Sequence, residues 1–128
     1  MRVILDTSVL IAQTPLPPEF EAGISAISLA ELHFGLLKTQ DPDERARRAA
    51  HFGRIESAFY THPLDGRVAR ALGHLQAAVA GRGGNPRARS ADLAIAATAM
   101  TLEAVLLTRN YKDFKLVDDL VDVREPPA

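Results

Sequence analysis

Arg2-Val3-Ile4-Leu5-Asp6 sets a short apolar run at the start of the chain and ends it on a carboxylate. A β-branched run of this length reads as a buried strand. An acid that closes such a strand adds little to packing, so Asp6 draws attention to the strand's carboxyl end. Outward from it, Thr7 or Ser8 is expected to cap a short helix through Ala12, which Pro15, Pro17 and Pro18 forbid from continuing. Gly23 to Ile27 predicts a second short strand, and Ser28-Leu29-Ala30-Glu31 opens a helix to about Lys38. Asp41-Pro42-Asp43-Glu44 combines a capping Asp, Pro at the first helical position and acids at the positive dipole end. It predicts a helix to about Phe59.

Thr61-His62-Pro63-Leu64 reads as an edge strand or strand end, because Pro63 cannot donate to a ladder. Asp65 or Gly66 starts a long helix with Val68, Leu72, Leu75 and Val79 at helical spacing, ending near Gly81. Gly83 to Pro86 is a loop, and Ser90 is expected to cap a helix with the body Leu93 to Met100. Val105 to Thr108 predicts a buried strand and Val121 to Val123 a last one. Strands alternating with helices imply an α/β fold, a mostly parallel sheet between two helical layers. Right-handed crossovers then line up the loops after the strands along one edge, where ligands bind in such folds.

The chain has 128 residues, 47% hydrophobic and 24% charged, which suits a single globular domain over 1–128. With no cysteine, disulfides, thiolate metal sites and cysteine nucleophiles are excluded. No apolar run approaches the roughly 20 residues of a membrane span, and Asp6 interrupts what a signal peptide would need, so a soluble cytoplasmic protein is expected. Net charge is −1, so no broad basic field exists, yet the cations cluster at Arg45, Arg47, Arg48 and Arg54 and again at Arg82, Arg87 and Arg89. Arginine suits phosphate contacts, although a solvated helix face is the commoner reason for such clusters.

Asp6, Glu31, Asp92 and Asp113 all fall near predicted carboxyl-edge positions. Two carboxylates about 4 Å apart repel by roughly 4 kcal/mol at an effective dielectric near 20. A pocket that gathers several is tolerable with a cation or with some of them protonated, and hard divalent ions take oxygen ligands. Structural readings stand beside this one. Ser28-x-x-Glu31 has the form of a capping box, Asp92 in a first turn suits the helix dipole, and Asp113 could be a solvated loop acid. Other patterns carry less. The histidines show no metal-ligand helical spacing, Gly81-x-Gly83-Gly84 follows a helix and lacks a dinucleotide loop's third glycine, and Ala94 to Ala99 reads as close helix packing. With no Trp and few other aromatics, no base-stacking platform is evident.

As a set, Asp6-Thr7-Ser8, Ser28-Leu29-Ala30-Glu31-Leu32, Asp92-Leu93-Ala94-Ile95-Ala96-Ala97-Thr98-Ala99 and Leu107-Thr108-Arg109-Asn110-Tyr111-Lys112-Asp113-Phe114 resemble the PIN-domain ribonucleases, specifically VapC-type toxins of toxin–antitoxin pairs. The likeness spans nearly the whole chain. It implies a three-layer α/β/α sandwich and a Mg²⁺- or Mn²⁺-dependent endoribonuclease acting on structured RNA such as tRNA or rRNA. It further implies Asp6, Glu31, Asp92 and Asp113 as catalytic and metal-holding acids. Thr7, Ser8, Thr108 and Asn110 would then be polar supports and Arg82, Arg87 and Arg89 RNA contacts. A homodimer and a small VapB-type antitoxin are implied as partners. Competing classes are a non-catalytic RNA- or protein-binding module of the same fold and a receiver-type signalling domain. The latter would want an acidic pair where this chain has Leu5-Asp6.

Overall fold

The computed structural model describes residues 1–128. Five short strands, β1 (Arg2–Leu5), β2 (Glu21–Ser25), β3 (Tyr60–His62), β4 (Val105–Leu107) and β5 (Val123–Arg124), form one sheet in the order β3-β2-β1-β4-β5. Every neighbouring pair is parallel, as sheets covered on both faces by crossover helices tend to be. Between the strands run α1 (Thr7–Ala12), α2 (Ala26–Lys38), α3 (Pro42–Ala58), α4 (Gly66–Gly81) and α5 (Ser90–Thr101), and a 3-10 helix spans Tyr111–Val117. The α/β sandwich expected from the sequence is therefore present, with a wholly parallel sheet. No helix is long and apolar enough to cross a membrane.

The pleat explains the two core layers. Val3 and Leu5 point to one side with Val105 and Leu107, meeting Val9, Leu10, Ile24 and Ile55. Ile4 and Leu106 point to the other, meeting Leu75 and Val79 of α4, Ile95 to Ala97 of α5, and Phe114. Because both faces are buried, the strands show no polar alternation. The run Leu93–Ala99 is buried at every position, and its alanines let α5 lie close to both α4 and the sheet. A Cβ on Gly84 would stand 2.7 Å from Val79 Cγ1 and from Leu116 Cδ1. The glycine loop after α4 thus serves packing.

Strand order separates two of the classes raised by the sequence. Receiver domains have the doubly wound order 2-1-3-4-5; here the order is 3-2-1-4-5, and the winding reverses between β1 and β4. That rules out the receiver reading. It also names the crevice where a ligand belongs, outside the carboxyl ends of β1 and β4 at the switch point. Asp6 follows β1 and Thr108 follows β4, so both stand at its mouth.

Three helix starts differ from those expected. α1 begins at Thr7 with Asp6 in the N-cap position, so neither Thr7 nor Ser8 caps it, and the Asp6 side chain makes no capping bond. α2 begins at Ala26, with Ser25 Oγ accepting from Ile27 N. Ser28 therefore faces inward and Glu31 falls in the second turn, which removes the capping-box explanation of Glu31. α5 begins at Ser90 with Arg89 in the cap position.

Candidate active site at the β1–β4 crevice

Asp6 is 5% exposed, and one oxygen of its carboxylate is held firmly. Oδ2 accepts from Ser8 Oγ (2.7 Å) and Thr108 Oγ1 (2.9 Å). Each hydroxyl in turn accepts a backbone N–H from the loop after β4, Arg109 N to Ser8 Oγ and Asn110 N to Thr108 Oγ1, both at 3.0 Å. One network fixes the acid and ties the end of β1 to the end of β4. Oδ1 has no protein donor.

Glu31 reaches the same crevice from α2. Its Oε1 accepts from Thr7 Oγ1 at 2.6 Å, and Thr7 Oγ1 also lies 3.0 Å from Ser28 Oγ. Asp92 enters from the first turn of α5. Asp6, Glu31 and Asp92, with Thr7, Ser8, Arg109 and Asn110, line a cavity of about 460 Å³. A larger groove of about 570 Å³ adjoins it between α1, α2 and α3, sharing Thr7, Ile11 and Glu31, with Phe34 and Phe52 on its far wall.

Asp113 is placed differently. It follows Asn110 on the 3-10 helix and meets Arg89 Nη1 at 3.2 Å, while the same nitrogen lies 3.6 Å from Asp92 Oδ2. Asn110, rather than Asp113, forms part of the cavity wall. The four acids therefore form one electrostatic group without closing into a cage: no three acidic or histidine side chains come together as a preformed ion site.

The electrostatics of Asp92 report that crowding. Its pKa is pushed up to about 6, first by burial and then by the charges of Asp6 and Asp113, with a smaller contribution from Glu31. Arg89 acts in the opposite direction and loses. The sign for stability follows. A carboxyl whose pKa rises on folding costs stability above that value, and stability returns as pH falls from about 6 towards 3.8, its ordinary value. The full difference corresponds to roughly 3 kcal/mol; with the side chain 30% exposed, solvent screening brings it to about 1 kcal/mol. Asp92→Asn should therefore raise Tm at pH 7.5 and raise it much less at pH 4. An equal change at both pH values in thermal unfolding would contradict this origin.

The arginines expected to contact RNA have separate fates. Arg82 is committed to Asp119 through Nη1 (2.7 Å) and Nη2 (3.1 Å) and to the Leu116 carbonyl, tying α4 to the 3-10 helix. Arg89 is engaged by Asp92 and Asp113. Arg87 is exposed, and only its backbone N–H is bonded, to Asn85 Oδ1. Arg109, which no charge cluster of the sequence singles out, stands in the cavity wall. Its sequence signs are its position directly after a carboxyl-edge strand and its place in the Leu107-Thr108-Arg109-Asn110 stretch.

The donor set is oxygen throughout, as a hard divalent ion requires, and Mg²⁺ typically keeps several waters and uses one or two carboxylates. Three acids around one cavity without a preformed cage fit such an ion.

Comparison with known proteins agrees with this architecture. A family model described as "PIN domain" matches residues 3–120. None of the curated proteins matches the sequence significantly. Among solved structures, VapBC-5 from Mycobacterium tuberculosis, a member of the VapBC family of toxin–antitoxin systems, is similar at 32% identity and a TM-score of 0.83, over 99% of this chain and 98% of that one. VapBC2 from Rickettsia felis, bound to a DNA fragment from their promoter, is similar at 23% identity and TM-score 0.79 over 99% and 100%. FitAcB from Neisseria gonorrhoeae shares 24% identity and TM-score 0.76 over 97% of each chain; these last two share the fold. The acid-lined crevice at the switch point, the family match and the full-length likeness to VapBC-5 agree: the chain belongs to the PIN-domain family, as a VapC-type member.

Proposed function

We propose that this protein is a divalent-metal-dependent endoribonuclease toxin that hydrolyses phosphodiester bonds in structured RNA, tRNA or rRNA, and is neutralised by a small VapB-type antitoxin. The observation that carries this reading is the meeting of Asp6, Glu31 and Asp92 on one cavity, with Asp92 pushed up to about 6 by burial and its neighbours' charges. Holding several like charges together is unfavourable on folding grounds alone, so the arrangement suits a cationic ligand. The similar structures are VapBC toxin–antitoxin proteins, which supports the antitoxin partner.

Asp6, Glu31 and Asp92 would hold Mg²⁺, or Mn²⁺ in its place. When bound, the ion supplies Lewis-acid polarisation of the phosphate and lowers the pKa of the attacking water. Asp6 would offer Oδ1, which has no protein donor, while Ser8 and Thr108 keep its other oxygen fixed. Glu31, oriented by Thr7, accepts the proton of the attacking water. Asp113 balances Arg89 and so sets how much positive charge reaches Asp92. Asn110 completes the wall as a neutral polar support. With water as nucleophile, the products carry 5′-phosphate and 3′-hydroxyl ends. Arg87 remains a candidate RNA contact on the exposed loop before α5, and a homodimer is part of the proposal.

Incubating the full chain with total RNA in Mn²⁺ should produce discrete fragments with ligatable 5′-phosphates, and EDTA should prevent this. RNA left intact with Mn²⁺ supplied would favour the non-catalytic module.

A further inference from the structure

An acid-lined cavity has to admit a polyanion, so something beside the carboxylates must attract phosphate. Arg82 and Arg89 are already paired with carboxylates. Arg109 is exposed, shares the cavity wall with Asp6, Glu31 and Asp92, and makes no ion pair with any of them. Its only side-chain bond runs from Nη1 to Thr14 Oγ1, neutral and long at 3.3 Å.

The Arg109 guanidinium is turned to Thr14 and not to any of the three carboxylates. Arg109 N donates to Ser8 Oγ and Asn110 N to Thr108 Oγ1, the two hydroxyls that grip Asp6. The loop is pinned with the Arg109 side chain directed past α1 towards Thr14. With no carboxylate paired to it, its planar fork remains available to an oxyanion.

Resting on the nuclease reading above, we infer that Arg109 is a phosphate clamp. It binds the non-bridging oxygens of a backbone phosphate beside the scissile one and holds the strand against the repulsion of the acids. Because it grips the backbone, it contributes to binding whatever the base sequence.

The test uses the full chain with fluorescein-labelled, random-sequence single-stranded RNA in EDTA, so that cleavage does not intrude. Arg109→Ala should weaken binding about tenfold and reduce the slope of log K against log salt by about 0.7, the value for one fewer neutralised phosphate on a single strand. Arg109→Lys should restore the slope but only part of the affinity. Arg124→Ala, whose guanidinium is held by Asp122, should change neither. An unaltered affinity and slope for Arg109→Ala, in a protein whose wild type binds RNA, overturns the clamp and leaves the nuclease reading standing. A wild type that neither binds this RNA nor cleaves total RNA in Mn²⁺ overturns the reading beneath it.

Discussion

Asp6→Asn is expected to lower the rate of RNA cleavage by on the order of 1,000-fold and to leave Tm unchanged or slightly raised. Asparagine matches aspartate in shape. Its carbonyl oxygen can take the place of Oδ2, accepting from Ser8 Oγ and Thr108 Oγ1, while its amide faces the cavity. What disappears is the negative charge, which opposes Asp92 on folding and would hold the cation during catalysis. Asp6→Ala is a different experiment. It strips two hydroxyls of their shared acceptor and loosens the loop that they anchor, at a cost of about 1–3 kcal/mol. Initial cleavage rates and calorimetry on both variants separate the roles. If Asp6→Asn kept its activity but melted as early as Asp6→Ala, the carboxylate would be a structural acceptor and no more.

Phe114→Ala should produce the largest loss of stability, about 3–5 kcal/mol, seen as a fall in Tm of about 10–20 °C for a domain of this size. Phe114 is 1% exposed and is the largest of the fully buried side chains. It also belongs to a seven-residue 3-10 helix, longer than that geometry usually sustains by itself. In a 3-10 helix, residues three apart eclipse one another. Phe114 and Val117 therefore share the face that enters the core, and packing supplies what the poorer hydrogen bonds do not. Asp113 is one residue away and held to Arg89, so removing the anchor should also relax that ion pair. Phe114→Leu, which keeps most of the volume, should cost under about 1.5 kcal/mol. Asp113→Asn should keep Tm near that of the wild type. A Phe114→Ala loss below about 1 kcal/mol in denaturant titration would mean the 3-10 helix holds without its core packing.

Much of the fold lies in local patterns, since these record which residues meet water. The apolar run of β1, the Asp41-Pro42 start of α3, the Asp65 cap of α4 and the all-buried body of α5 each follow from their own few residues. So does the layered α/β architecture, because strands alternating with helices leave a parallel sheet few other solutions. Glu31 is a case where local reasoning misleads. Ser28-x-x-Glu31 fits a capping box, yet Ser25 at the end of β2 starts the helix one turn earlier, and Glu31 turns instead to Thr7.

Strand order, and with it the switch point, rests on which strand pairs across the long crossovers, a competition between packing arrangements that no short window of sequence contains. Charge partners belong to the same class. Where Arg109 stands depends on where two hydroxyls, just beyond β1 and β4, hold a loop across about a hundred residues of chain, and Arg89 meets Asp113 only across the fold. Sequence alone named the acids; their shared field, and the arginine left free beside it, exist only once the sheet is assembled.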